Sequence, residues 1–140
     1  PWSPVALERL ADLEFRAWLD SGKPDELRQF RAYREQAMAL MPRSSAAWLN
    51  TGDYDLEAYR RTGGRGHAER AVEAYSRAVE LYPASARTRA KLALGLEALG
   101  DAPGFRREAA KALELDGQTP HADKKLPDTL RKTLQLKLKT

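Results

Sequence analysis

Residues 66–117 read GHAERAVEAYSRAVELYPASARTRAKLALGLEALGDAPGFRREAAKALELDG, and the parts of this stretch echo each other. Ala78-Val79-Glu80-Leu81-Tyr82-Pro83 is answered by Ala112-Leu113-Glu114-Leu115-Asp116-Gly117. The step from Ala78 to Ala112 is about 34 residues, the length of a helix–turn–helix unit that stacks on its neighbours. One such unit cannot bury its apolar face alone, so the core is shared along the stack. Stacking builds a continuous surface, which suits binding better than catalysis.

Working back from this stretch, the same pattern continues. His67 to Leu81 carries Ala68, Ala71, Val72, Tyr75, Ala78 and Val79 at helical spacing. A break is expected at Thr62-Gly63-Gly64-Arg65-Gly66, because glycine is costly inside a helix. Before it, Ser44 or Ser45 can cap a helix through Trp48, Leu49, Gly52, Leu56 and Tyr59. The N-terminal part reads as a hairpin over 4–41 with its turn at Gly22–Asp25. Ser3-Pro4 suits a helix start, and Gly22 then Pro24 suit a stop and a restart.

Working forward, Ser85 caps a helix carrying Leu92, Leu96 and Leu99 that ends at Gly100-Asp101. The next carries Phe105, Ala109, Ala112, Leu113 and Leu115. Residues 116–126 read as a loop around Gly117 and Pro120. After Pro127, Leu130, Leu134 and Leu138 favour a helix, although Leu134-Gln135-Leu136-Lys137-Leu138-Lys139 also alternates as a strand would. A helix here would cover the open end of the stack with a polar outer face.

The 140 residues, 42% hydrophobic and 31% charged, suit one helical array with a small-residue core. The absence of cysteine excludes disulfides, thiol catalysis and cysteine-containing zinc sites. No apolar run reaches the roughly 18 residues of a membrane span. The chain opens Pro1-Trp2-Ser3-Pro4, without an initiator methionine or a secretory signal. It is therefore expected to be a piece of a longer protein, and its compartment is left unspecified. Net charge is +4, with acids and bases mixed except in the tail. There Lys124, Lys125, Arg131, Lys132, Lys137 and Lys139 outnumber the acids.

Residues 86–119 resemble a tetratricopeptide repeat, with Ala93 and Ala112 at the small positions of the two helices and Gly100-Asp101 at the turn. The middle unit matches at Trp48, Gly52, Ala71, Tyr75, Ala78 and Pro83, and the first at Phe30, Ala37 and Pro42. Two positions depart. Phe105 replaces a usual alanine, and Gly117 replaces a terminal proline, ending the helix in a left-handed conformation. The step from Gly52 to Gly66 is longer than that from Ala93 to Gly100 by about two helical turns, which implies an insertion that keeps the buried face in register. The resemblance implies an all-α fold, a right-handed helical-hairpin superhelix or α-solenoid. Its expected organisation is one domain over 1–140, with hairpins at 4–42, 45–83 and 85–116 and a capping helix at 127–138.

The resemblance also implies a concave groove lined by the first helix of each hairpin. Asn50, Asp53, Arg87, Lys91 and Leu94 are its candidate residues, and Arg87, Lys91, Leu94 and Ala98 share one helix face. One version of the family clamps a peptide C-terminal carboxylate with an asparagine in its second repeat and two basic residues in its third. Asn50, Arg87 and Lys91 stand at those positions, whereas the first repeat offers Asp12 and Arg16 instead of a lysine and an asparagine. An amide and two cations can share an anionic oxygen pair.

Other constellations carry less. His67 and His121 have no neighbouring metal-ligand spacing, and Gly63-Gly64-Arg65-Gly66 lacks the Lys-Ser/Thr pair of a phosphate loop. Asp53 and Glu57 read as a solvated face beside Arg60 and Arg61. Trp2, Trp18 and Trp48 read as packing anchors. No catalytic residue, metal or cofactor is expected. The expected partner is a protein or peptide, with an acidic group or C-terminal carboxylate as its recognised feature. Nucleic acid is disfavoured, because no aromatic interleaves the tail lysines. Membrane contact is left to the basic tail or to segments of a parent protein. The resemblance suggests a bacterial parent, since such arrays are appended to bacterial membrane glycan polymerases and ligases. The alternative roles are therefore substrate positioning for such an enzyme, and self-association.

Overall fold

The computed structural model describes residues 2–121 and 124–140, and among these there are seven α-helices and no strand. In chain order they are α1 (Pro4–Ser21), α2 (Pro24–Leu40), α3 (Ser45–Thr62), α4 (Arg65–Leu81), α5 (Ala86–Ala98), α6 (Ala102–Gln118) and α7 (Asp128–Leu138). The chain forms two compact units, one ending at Ala47 and one running from Trp48 to Thr140.

In the first unit Ser3 Oγ accepts from Ala6 N–H at 3.1 Å, capping α1. Gly22 closes the helix at φ 69°, donating to Trp18 O at 2.8 Å. Leu7, Ala11, Phe15 and Trp18 form the buried face of α1, and Phe30, Ala37 and Met38 that of α2. The Phe15 and Phe30 rings pack 4.9 Å apart at a tilted angle. Arg34 is also buried; it donates to Ala47 O at 3.0 Å, with the Glu8 carboxylate 3.7 Å away. This guanidinium holds the Ala47 carbonyl at the end of the first unit. Trp2 corrects the packing-anchor reading. It lies ahead of the capping serine and is 61% exposed, whereas Trp18 is 7% exposed.

In the second unit Leu56, Ala71, Tyr75, Leu92 and Leu96 join α3, α4 and α5 in one apolar cluster. A second cluster joins Ala86, Ala90, Ala93, Phe105, Ala109 and Ala112 to Leu126 and Leu134. Alanine at these positions brings helices close, and Phe105 supplies bulk among them. Its departure from the usual alanine is thus a packing choice made together with Leu134 of α7.

The chain turns at Gly63 (φ 71°), not at Gly66, which lies inside the first turn of α4. Gly100 is the corresponding left-handed residue of the next hairpin. The step from Gly52 to Gly63 exceeds that from Ala93 to Gly100 by about one helical turn. The step from Gly63 to Ala78 exceeds that from Gly100 to Ala112 by about one more. The insertion is therefore divided between the end of α3 and the start of α4. Lengthening both antiparallel arms keeps the hairpin closed. Arg65, at the displaced tip, donates to Leu99 O at 3.1 Å.

The last helix of the third hairpin also differs from expectation. Gly117 does not take a left-handed conformation; α6 continues through it to Gln118. The reason lies in Asp116, whose carboxylate is buried and committed. It accepts from Leu126 N–H at 2.7 Å and Arg131 Nε at 2.8 Å, while its backbone oxygen accepts from Lys125 Nζ at 2.9 Å. Arg131 further binds Asp128 at 2.6 Å and Leu126 O at 2.9 Å. Burial pushes the Asp116 carboxyl up, but the hydrogen bonds from Arg131 and Leu126, with the Arg131 and Lys125 charges, outweigh it and hold the group below the usual range. The ambiguous 134–139 segment is helical through Leu138, with Leu134 fully buried.

Candidate functional site

Helix α5 has weak amphipathic character because it is packed on most sides. Ala86, Thr88, Ala90, Leu92, Ala93, Gly95 and Leu96 are all buried. On a flank, Arg89 is half-buried, donating to Glu108 Oε2 at 3.0 Å and to Pro83 O at 3.1 Å. Glu97 pairs with Lys137 of α7 at 2.9 Å. Arg87, Lys91, Leu94 and Ala98 remain as a stripe along one face, with Arg87 exposed and the others half-buried.

Opposite this stripe α3 places Asn50, exposed, and Asp53, half-buried. Lys91 Nζ donates to Asp53 Oδ2 at 2.6 Å, and Tyr75 O–H donates to Asp53 Oδ1 at 2.6 Å. One carboxylate thus ties together α3, α4 and α5. The Tyr75 ring is fully buried, and only its hydroxyl reaches this polar surface. Burial pushes the phenol well above its ordinary range, and the Asp53 charge and hydrogen bond push it in the same direction.

The ring position depends on two glycines. A Cβ at Gly52 would lie 2.4 Å from Tyr75 Cε1. At Gly95 it would lie 3.1 Å from Val72 Cγ2 and 3.5 Å from Tyr75 Cδ2. Gly52 is therefore a close-approach residue that admits the ring against the α3 backbone.

The structure brings Asp53 and Lys91 into direct contact and leaves Arg87 and Asn50 on the surface beside them. Of the two carboxylates on this face, Asp53 pairs with Lys91 and Tyr75, and Glu57 meets Arg61 at 3.5 Å. Lys91 is a neutralised cation rather than an isolated one. Tyr75, read from sequence only as core, is the residue that orients Asp53. Asp12 and Arg16, at the first-repeat positions, bind each other at 2.7 Å. The basic tail is similarly committed in part, through Lys125, Arg131 and Lys137. Trp48 is half-buried, with the Arg77 guanidinium 5.7 Å from its ring centroid. His67 lies in the first turn of α4, half-buried.

Among the described residues, no group of three His, Asp or Glu side chains is arranged to hold a metal, and no helix is long and apolar enough to cross a membrane.

No family model and no curated protein matches the sequence. Among solved structures, the crystal structure of the Sgt2 TPR domain from Aspergillus fumigatus is similar, with a TM-score of 0.61 and 18% identity. The match covers 97% of this chain and 79% of that one. This likeness, with the helical hairpins, shows the fold to be of the tetratricopeptide type: all-α, a repeat of antiparallel helix pairs.

Proposed function

We propose that the chain is a protein-interaction module that binds an extended peptide with an acidic group across the α3–α5 face. The observation carrying this reading is the stripe on α5. A helix committed on its other sides to packing and ion pairs leaves Arg87 exposed at the head of a stripe in which Lys91 is tied to Asp53 and Leu94 and Ala98 are half-buried against the core. The stripe combines a cation, a bound cation and apolar surface, which are the elements needed to hold a backbone and fix one acidic group. Tetratricopeptide-type folds are generally binding scaffolds rather than catalysts, and a non-catalytic role fits this face.

Arg87 is the residue to which we assign the acidic group of the partner, with Asn50 as a neutral donor. Lys91, tied to Asp53, sets the position of the adjoining surface. Fluorescence anisotropy with a panel of peptides, each with a free and an amidated C-terminus, tests this. Arg87→Glu is expected to weaken the best binder about tenfold or more. Binding that is indifferent to Arg87→Glu overturns the reading. Amidation that leaves affinity unchanged would assign Arg87 to a side-chain carboxylate rather than a terminal one.

A further inference from the structure

A separate surface carries an inference that does not depend on the α3–α5 face. The buried side of α1 is formed by Leu7, Ala11, Phe15 and Trp18. Val5, Arg9, Asp12, Leu13 and Arg16 occupy the opposite side, within an arc of about 100°. Val5 is 60% exposed and Leu13 64%, and a groove of ≈ 410 Å³ runs between them past Arg9 and Asp12. Trp2, just ahead of the cap, is 61% exposed. Val5 and Leu13 thus flank a groove whose lining carries the charges of Glu8, Arg9 and Asp12.

The order of these residues selects the occupant. A two-fold interface requires a self-complementary surface, in which residue i meets j and j meets i. When two copies of α1 run antiparallel and cross at Arg9, residues equally spaced about Arg9 come opposite each other. Val5 then meets Leu13 of the second copy at both ends of the crossing. The two Arg9 side chains face each other at the crossing, and each lies about 4.5 Å along the axis from Asp12 of the other copy, so the pair of carboxylates must offset the two guanidinium charges. Asp12 already accepts from Arg16 at 2.7 Å, and a carboxylate can accept from a second guanidinium. We infer that this face of α1 is a homodimer interface, the occupant being a second copy of the chain packed antiparallel through α1.

Sedimentation equilibrium on the full 140-residue chain tests the proposal. The wild type is expected to rise with concentration from 15.7 kDa towards twice that mass. Arg9→Glu sets a new carboxylate against Asp12 in both halves of the interface, and Asp12→Arg sets a new guanidinium against Arg9. Each is expected to weaken association about tenfold or more. An equimolar mixture of the two variants restores both ion pairs in the heterodimer, so its affinity should return to within about threefold of wild type. Leu13→Ser, which leaves the charges intact, should also weaken the dimer. All three sites lie on the outward face, and unchanged far-UV circular dichroism establishes that folding is retained. A wild type that stays monomeric to about 500 μM overturns the proposal. So does a mixture no tighter than the separate variants, which would reduce the charge effects to general repulsion.

Discussion

Replacing Gly52 by alanine sets two effects of opposite sign against each other. Glycine within a helix is about 1 kcal/mol less favourable than alanine, so propensity alone makes Gly52→Ala stabilising. The structure opposes this. The added methyl would lie 2.4 Å from Tyr75 Cε1, 2.5 Å from Cδ1 and 2.9 Å from Cζ. Carbon atoms at rest stand about 3.5–4.0 Å apart, so relief requires a shift of roughly 1 Å. The ring cannot easily supply it, because it is fully buried with the α5 backbone at Gly95 beside it and its hydroxyl held by Asp53. Either α3 and α4 separate or the hydroxyl leaves its carboxylate. Overpacking of this kind costs about 1–3 kcal/mol, with about 1 kcal/mol more for a lost buried hydrogen bond. The expected net result is destabilisation of about 1–2 kcal/mol, read as a lower urea midpoint by circular dichroism. In a Tyr75→Ala background the clashing ring atoms are absent, and Gly52→Ala should become neutral or stabilising by up to about 1 kcal/mol. The coupling from the double-mutant cycle should exceed about 1 kcal/mol. A Gly52→Ala variant as stable as the wild type would refute the account of Tyr75 as a ring clamped against α3.

Four further outcomes follow from the same geometry. Tyr75 has its folded-state pKa raised above the ordinary 10.0, so its contribution is fully present below pH 10.0 and lost as pH rises above it. The 295 nm absorbance difference between wild type and Tyr75→Phe should show Tyr75 ionising only with unfolding, and Tyr75→Phe should flatten the alkaline limb of the stability curve. For Asp116 the sign is opposite: its stabilisation is present above the ordinary 3.8 and is lost as pH falls through its lower folded value. Asp116→Asn should remove that acid-limb dependence and speed amide exchange in α7 about tenfold, whereas unaltered exchange would dissociate the carboxylate from α7 docking. Leu134→Ala empties a fully buried site and should cost about 2–5 kcal/mol, with loss of the α7 helical signal, since 11 residues seldom hold a helix alone. Lys91→Met should change stability by no more than about 1 kcal/mol, because Asp53 is partly exposed and keeps Tyr75.

The helices were legible in the sequence because their apolar residues recur every three or four positions and their ends carry local chemistry. Ser3, Ser85 and Gly22 act where their types suggest. Glycine runs are harder. Gly63, Gly64 and Gly66 are equivalent by composition, and only the paired lengthening of α3 and α4 selects Gly63 as the turn. Gly117 looks like a terminator, but tertiary bonds to Asp116 carry the helix past it. Of the candidate residues, helical spacing groups Arg87, Lys91 and Leu94 on one face of α5. It carries no sign that Lys91 meets Asp53, 38 residues away, or that Tyr75 completes the group. Trp2 departs from expectation for a related reason: aromatic character alone does not say which side of a helix start a residue joins.

The burial of α5 has a consequence for how such a module can be retargeted. Most of its residues already have a structural assignment: burial for seven, a lock to α6 for Arg89 and a tie to α7 for Glu97. Lys91 can change at little cost to the fold, but the change leaves Asp53 to Tyr75 alone and alters the charge of the face. The helix therefore offers very few sites at which sequence can vary freely, chiefly Arg87, since Leu94 and Ala98 also pack against the core. A comprehensive substitution library over Ala86–Ala98 should be tolerant at Arg87 and severe at its buried neighbours Ala86 and Thr88. New specificity would have to be written mainly into α3, around Asn50, with α5 serving as the fixed wall against which it is read.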